Sequence, residues 1–394
     1  MSRAVICAAV SMLCAGSAMA HHGAGTFELN KTVTFEHATL TRVELINPHS
    51  WLYFEVAGED GRVSQHRCEM RSAHVLRRSG WTNDLFAAGQ RMTVNASPDS
   101  ADPNSCYLQT ILFESGTRMD RYGQYVKGPE GALREVRGPV VVPDTRRRAY
   151  RRPLGEPNIT GDWAAEQRVM VDPRGVGGGL VPLGQLSELE PGERPAGRGG
   201  GRRGGGPGAG PRLYGGTELT PLGEQAAARF TRQDNPRFSC ETTSIIFDWT
   251  FDGPVNRIAQ TSNRIIMRYG QMGLTRTIHM NLTEHPADIE PSRAGHSIGR
   301  WENDVLVVDT VGFLPGVLNG PVQNSDRLHV VERFSLDPET FALTRSYVAE
   351  DPVYLKGQYT GSDVVQVADA PYTDDTCKEQ GFIDFSELLE QEQR

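Results

Sequence analysis

The residue types best suited to chemistry stand near the amino end of this chain, where His21 and His22 follow a stretch typical of a secretory signal. Residues 1–20 begin with one positive charge, continue as a short apolar run and finish in small residues, which predicts cleavage after Ala20. Cleavage would leave a free amine and two imidazoles at the new terminus. Because nitrogen ligands of this kind suit copper and zinc, we predict that the mature N-terminus binds one of these metals.

The folded chain must supply the remaining ligand of such a metal site. His49 is the first candidate, because Asn47-Pro48-His49-Ser50-Trp51 places it in a turn directly before a strand. His37 lies on a predicted strand and is the weaker candidate. The competing interpretation is that the two terminal histidines form a solvated tail and that His49 bonds a carbonyl at a strand edge.

A second candidate site lies in the C-terminal half, around the run Gly295-His-Ser-Ile-Gly-Arg-Trp301. Strand alternation places His296 and Arg300 on one face. If that face lines a barrel interior, Asp309 and Glu332 from later strands would join them in a polar cavity that binds an acidic ligand or transfers protons. This hypothesis predicts a hydrolase or an isomerase. The alternative is a structural salt bridge at the mouth of a barrel.

Two nearby patterns are weaker signals. Gly295, Ser297 and Gly299 match the Gly-x-Ser-x-Gly nucleophile motif, but that motif must join a buried strand to a helix, and here a β-hairpin pattern follows. His285 stands before Pro286 in a polar stretch that predicts a solvated turn. We therefore expect neither a serine nucleophile nor a histidine site in this stretch.

The elements that must position these residues are short strands separated by turns. Strands predicted between residues 32 and 115, with one short helix among them, indicate a small closed barrel of the OB type. The C-terminal half reads as consecutive short strands, the first of them at residues 244–249, which favours an antiparallel sheet or barrel. We predict a mainly β protein in this order: signal peptide 1–20, small barrel domain 21–120, linker 121–155 and larger antiparallel domain 156–394.

One segment of the larger domain has the composition of a disordered loop. Residues 174–216 contain 17 glycines and five prolines, and such a segment cannot bury enough apolar surface to offset its backbone entropy. Its Arg-Gly tract resembles those of RNA-binding proteins, but the secretory signal and the net charge of −8 argue against a nucleic-acid partner. The basic run between residues 146 and 152 is interpreted as part of the solvated linker.

Cysteine usage and hydropathy fit an exported protein. Four cysteines follow residue 20, and in an oxidising compartment they permit three pairings. We predict Cys68 with Cys106 and Cys240 with Cys377, one bridge in each domain, because the spacing resembles no zinc knuckle. The apolar run of the signal is too short to span a bilayer, so the sequence predicts a periplasmic or secreted protein that is not embedded in a membrane.

Several of these residues together resemble a domain of unknown function found in exported bacterial proteins. The resemblance covers about residues 21–120 and rests on His21-His22, Asn47-Pro48-His49-x-Trp51, Gly80-Trp81 and the strand after Gly89. The C-terminal half resembles a region of longer members through Leu219-Thr-Pro-x-Gly223, Cys240 and the two runs 295–302 and 305–313. This resemblance implies export and the domain limits, and it implies no particular reaction.

These features predict a periplasmic or secreted binding or accessory protein. Its small barrel would hold copper or zinc through His21 and His49. His22 or His37 would assist, and the larger domain would bind a small molecule or another protein. The alternative prediction is an enzyme, a hydrolase or isomerase, that uses the polar cavity of the larger domain.

Overall fold

The computed structural model describes residues 26–121, 125–127, 148–170, 180–182, 213–231, 234–251 and 253–378. Within these ranges the chain is mainly β, which confirms the predicted fold class. His21, His22 and most of the glycine-rich segment 174–216 lie outside the described residues. No helix in the described ranges has both the length and the apolar character needed to cross a membrane.

The N-terminal strands form a small closed barrel. Its strands are β1 (Val33–Glu44), β2 (Trp51–Ala57), β3 (Val63–Glu69), β4 (Arg91–Pro98) and β5 (Ser105–Phe113), with helix α1 (Ala73–Arg78) between β3 and β4. The strands pair in the order β3-β2-β1-β4-β5, and a parallel pairing of β3 with β5 closes the ring. This five-stranded barrel is OB-like, as the sequence predicts. Strands β6 (Thr117–Asp120) and β7 (Tyr125–Lys127) extend the sheet beyond β5.

Alternating apolar residues and one disulfide hold the small barrel together. In β4 the side chains of Met92, Val94 and Ala96 are buried, whereas Thr93 and Asn95 between them are only partly buried. The disulfide from Cys68 to the cysteine opposite it in β5 ties the strands at the closing seam. This bridge confirms the predicted Cys68–Cys106 pairing, and such a crosslink stabilises a small domain chiefly by restricting its unfolded chain.

The larger domain is a closed barrel of nine strands. They are β8 (Gly161–Ala164), β11 (Val255–Gln260), β12 (Arg264–Arg268), β13 (Thr275–His279), β14 (His296–Glu302), β15 (Val305–Val311), β18 (His329–Leu336), β19 (Leu343–Glu350) and β20 (Gln358–Val367). Outside the barrel, β9 (Arg168–Met170) pairs with β10 (Leu180–Pro182), and β16 (Gly316–Asn319) pairs with β17 (Val322–Asn324). Helix α2 (Pro221–Arg229) begins after Thr220, whose side chain caps it by accepting the Gly223 N–H at 3.1 Å.

Two local expectations for this domain were wrong. The predicted strand at residues 244–249 is a series of turns, because Asp248 accepts backbone N–H groups of Thr243 and Ser244 and so folds the segment onto itself. Strands β13 and β14 pair in parallel within an otherwise antiparallel barrel. At the end of the predicted linker 121–155, Arg148 lies over the Trp163 ring at 4.8 Å and donates to two nearby carbonyls.

The interior of the larger barrel combines an apolar core with buried charges. Phe334 on β18 and Leu306 on β15 belong to the apolar part. Glu332 on β18 is fully buried and lies 2.5 Å from Nη2 of Arg276 and 3.2 Å from Nη1 of Arg345. Because each charge faces an opposite one, the interior tolerates them without water.

The segment after β20 joins the two barrels. Arg78 of α1 donates to both carboxylate oxygens of Asp369 at 2.9 and 3.2 Å, and the Asn47 amide donates to Asp375 at 2.6 Å. A disulfide between Cys240 and Cys377 fixes the same segment to the larger domain and confirms the second predicted pairing. The two barrels are therefore held in contact by ion pairs and hydrogen bonds from the small barrel to a segment that the disulfide fixes to the larger domain.

Candidate acid–base site

A cluster of four histidines and one aspartate lies on the outer face of the larger barrel. His279 ends β13, His296 begins β14, Asp309 lies in β15 and His329 begins β18, while His285 comes from the loop between β13 and β14. In the β14–β15 ladder His296 pairs with a valine two residues beyond Asp309, and the β15–β18 register brings His329 to the same end. Three adjacent strands thus present an imidazole, a carboxylate and an imidazole on one surface.

His285 is the centre of this cluster. Its Nε2 lies 3.1 Å from Oδ1 of Asp309, and its Nδ1 lies 2.8 Å from Nδ1 of His296. His329 Nε2 lies 3.0 Å from the same Asp309 oxygen. The rings of His279 and His296 stack with their centroids 5.0 Å apart. The Asp309 carboxylate therefore orients the imidazoles of His285 and His329, and the His285 imidazole also contacts that of His296.

The loop that carries His285 is fixed to the barrel. Ser292 donates its backbone N–H to Gly312 O at 3.1 Å, and Leu314 N–H donates back to Ser292 O at 3.0 Å. Gly312 has a φ of +72°, and a Cβ there would lie 2.5 Å from a side-chain carbon of Ile289. The loop can therefore pack this closely because residue 312 is glycine.

The hydrogen-bond pattern assigns the protons of the neutral cluster. The carboxylate of Asp309 only accepts, so His285 and His329 each donate their Nε2–H to it. A neutral His285 then has an unprotonated Nδ1, which accepts the Nδ1–H of His296. This tautomer leaves Nε2 of His296 unprotonated, so a proton that arrives there can be passed through His285 towards Asp309.

The surroundings of the cluster favour the neutral form of His296 and leave its neighbours within reach of water. Desolvation first, and then the like charges of His285 and His279, lower the pKa of His296. The side chains of His285, Asp309 and His329 are 18%, 29% and 38% exposed. A neutral imidazole next to an oriented partner is the form that a general base requires.

The four residues predicted to share a cavity are divided between two faces of the barrel. His296 and Asp309 both belong to the outer cluster, where His285 bridges them. Arg300 is exposed and donates to Glu302 at 2.8 Å, whereas Glu332 is buried inside the barrel. The expected common cavity was wrong because the face of β14 that carries His296 points outward. Its neighbour Ser297 faces inward and is fully buried with Arg276, which also excludes it as a nucleophile.

The metal-ligand candidates in the small barrel are not brought together. His49 Nδ1 lies 3.0 Å from Oε1 of Glu69. His37 is exposed at a β-bulge of β1, with a φ of +54°. About 16 Å of paired strand separates the ends at which these two histidines lie. His37 therefore cannot assist His49, which corrects that expectation, and no group of three or more potential ligands in the described part of the chain is arranged to hold a metal ion.

Sequence reasoning missed His285 and the role of His329. The polar stretch around His285 predicts a solvated turn, yet the loop folds back across β15. The available signal was strand alternation: His296, Asp309 and His329 occupy outward positions of β14, β15 and β18, which a correct strand pairing would have aligned. The loop contact depends on tertiary packing and had no such signal.

The fold and this cluster define a protein of two β-barrels with an imidazole–carboxylate site on the outer face of the larger one. Residues 9–105 match a family of unknown function, DUF6152. The match ends at the first residue of β5 and supports the resemblance found in the sequence over most of the small barrel. Comparison with curated proteins and with solved structures finds no match.

Proposed function

We propose that this chain is an exported enzyme whose larger barrel performs acid–base chemistry at the His285–Asp309–His296 cluster. The observation that carries the proposal is the pair of contacts made by His285, 2.8 Å to His296 and 3.1 Å to Asp309. An imidazole oriented by a carboxylate and in contact with the proton-accepting group is the arrangement that general acid–base catalysis uses. The reaction class is that of a hydrolase or an isomerase.

The proposed proton path uses only atoms of the cluster. Nε2 of His296 takes a proton from water or from the substrate, and its Nδ1–H moves to Nδ1 of His285. His285 then carries the positive charge, which the carboxylate of Asp309 stabilises at 3.1 Å. The return of the proton along the same path protonates the leaving group or the product, so no proton is gained or lost overall.

Hydrolysis of p-nitrophenyl acetate tests this proposal, because this activated ester reports on nucleophilic and base-active imidazoles without requiring the natural substrate. The protein without residues 1–20 is compared with His296→Gln and with His37→Gln, an exposed histidine on the other barrel. We expect a loss of about 100-fold in the first variant and no loss in the second. Equal rates in all three proteins would contradict the proposal.

Export is part of the same proposal. The two disulfides fit an oxidising compartment, and the signal-like residues 1–20 supply the route. Mass spectrometry of the protein recovered from the periplasm of an expressing bacterium is expected to give a chain that begins at His21. A chain that retains residues 1–20 would contradict export by this signal.

A second candidate function is copper or zinc binding at the mature N-terminus. The observation that favours it is the contact between His49 Nδ1 and Glu69, 3.0 Å long. Metal-binding histidines commonly donate their second ring nitrogen to a carboxylate, so His49 has the support that a ligand needs through its Nε2. His21 would supply the amine and its own imidazole, and His22 would assist.

Calorimetric titration with Cu²⁺ tests the metal site. Protein that begins at His21 is expected to bind at least ten times more tightly than a version with one added N-terminal alanine, and more tightly than His49→Gln. His37→Gln serves as the matched control, because His37 lies at the other end of the β1–β2 ladder. Equal affinity in all four proteins would contradict this second function.

A further inference from the structure

A cleft of about 340 Å³ lies where the two barrels meet. Leu45, α1 and Trp81 form its wall on the small barrel, while Val255 and the segment 370–373 form the wall on the larger one. Ligand sites are common at such domain boundaries, and this volume is at the small end of their usual range. The cleft is distant in sequence from the histidine cluster and shares no lining residue with it.

The walls of the cleft are fixed before any ligand enters. Arg78 holds Asp369 through two hydrogen bonds at one end of the 370–373 segment. Asn47 holds Asp375 at the other end, and Met272 donates its backbone N–H to the same aspartate. A preformed cleft needs little ordering on binding, so most of the contact energy is available to the ligand.

The floor of the cleft is apolar. Leu45 is 7% exposed, Val255 is 8% exposed and Trp81 is fully buried. Ala370 and Pro371 face this floor from the connecting segment. A ligand that fills the cleft should therefore carry a hydrocarbon or aromatic part.

One cationic side chain of the cleft lacks an anionic partner among the described residues. Arg77 donates to the carbonyl of Leu45 at 3.2 Å and to the hydroxyl of Thr376 at 3.4 Å, and it forms no ion pair with any described carboxylate. Arg78 and His74 face the cleft as well, but both have aspartate partners, Asp369 and Asp375. The net demand of the cleft is for an acceptor with a negative charge.

We propose that this cleft binds a small monocarboxylic acid with an apolar body. The carboxylate accepts hydrogen bonds from the Arg77 guanidinium, and the hydrocarbon part lies on Leu45 and Val255. A guanidinium has five donors and only two contacts are present here, so a carboxylate can be added without breaking them. The site is separate from the proposed acid–base site, and binding there does not depend on acid–base activity.

Two-dimensional ¹H–¹⁵N NMR of the full protein tests the proposal, with hexanoate and benzoate as probes. The chain has five tryptophans and therefore five indole signals, and Trp81→Phe assigns the one of interest. Because Trp81 lines the cleft, saturating hexanoate is expected to shift the Trp81 indole signal and to leave the other four nearly unchanged. Hexanamide, which has the same chain without the charge, is expected to bind at least ten times more weakly.

Substitution of Arg77 separates the charge from the fold. We expect Arg77→Gln to weaken hexanoate binding about 10- to 100-fold and Arg77→Lys to weaken it less. Arg62→Gln is the matched control, because Arg62 is an exposed arginine of the same barrel. No change in the Trp81 signal with either acid, equal binding of hexanamide, or full affinity in Arg77→Gln would each overturn the proposal.

Discussion

Strand β18 presents Glu332 to the interior of the larger barrel and His329 to its outer face. Inside, Glu332 is fully buried between Arg276 and Arg345, and Arg345 also binds Asp363. Outside, His329 is 38% exposed and shares one oxygen of Asp309 with His285. Neighbouring residues of one strand therefore carry ionisable groups into two very different environments.

The inner polar network stabilises the barrel, whereas the outer one is able to exchange protons. Burial alone lowers the pKa of Arg345, but the carboxylates of Asp363 and Glu332 outweigh it and leave the pKa raised. These interior charges are fixed. The outer cluster joins imidazoles to the carboxylate of Asp309 at a surface that water reaches. We infer that the inner network has a structural role and the outer one a chemical role.

Removal of the inner carboxylate is expected to have the largest effect. Glu332→Gln leaves Arg276 without its anion and deprives Arg345 of one of two, so the free energy of unfolding should fall by about 3–5 kcal/mol. Urea unfolding followed by tryptophan fluorescence measures it, because the Arg345 guanidinium lies 5.7 Å from the centre of the Trp249 ring. A loss below about 1 kcal/mol would mean that the inner network is not structural.

Asp248 is a buried carboxylate without an ion pair among the described residues. Burial raises the pKa of Asp248 to about 7, although the backbone N–H groups of Thr243 and Ser244 oppose the shift. Since the unfolded carboxyl ionises near its ordinary value of 3.8, unfolding releases a proton between pH 4 and 7, and the wild type loses stability as the pH rises through this window.

Asp248→Asn removes this penalty and keeps an acceptor oxygen. As the pH rises from 4 to 7, the free energy of unfolding of the variant should therefore increase by about 2–4 kcal/mol relative to that of the wild type. Urea unfolding of both proteins at several pH values measures the difference. A difference that does not change with pH would show that Asp248 is ionised in the folded protein at all of them.

A substitution in the outer cluster should lower the activity of the protein without lowering its stability. Asp309→Asn keeps the shape of the side chain but removes the charge that orients His285 and stabilises its protonated form. We expect ester hydrolysis to fall about 100-fold, while the urea midpoint stays close to that of the wild type because Asp309 is partly exposed. A large fall in the midpoint with unchanged hydrolysis would assign Asp309 to the structural class.

The pH dependence of hydrolysis reports on His296. Because its pKa is lowered by desolvation and by His285 and His279, the neutral base persists below the ordinary value of 6.5, and activity should fall only at more acidic pH. His279→Gln removes one like charge and is expected to move this acidic limit upward. An unmoved limit in this variant would show that another group controls it.

Much of the fold could be predicted from the sequence, because it depends on local patterns. Alternation along β1 and β4 and the turn residues between strands gave the small barrel. Composition and the number of cysteines gave both disulfides. The apolar run at 244–249 failed as a strand, because the Asp248 hydrogen bonds form turns that the period of two cannot reveal.

The candidate site was only half predictable. His296 and Asp309 could be selected by residue type. The alternation of side chains along one strand shows which residues share a face, but it does not show whether that face is inside or outside the barrel. The fully buried pair of Arg276 and Glu332 contradicts the usual exposure of charged residues. His285 reaches the cluster only through the fold of its loop, which leaves no period in the sequence.

Removal of an exposed ion-pair group, the Glu302 carboxylate, is expected to change the stability of the barrel least. Glu302 ends β14 and lies 2.7 Å from Arg300 and 3.0 Å from Arg333, which lower its pKa through hydrogen bonds from Arg333 and then Arg300. Any stability from this pair is present above the ordinary pKa of 4.5 and is lost as the pH falls, but solvent screens it. At pH 7 the urea midpoint of Glu302→Gln should therefore equal that of the wild type. If it were as destabilising as Glu332→Gln, burial would not be what distinguishes the two faces.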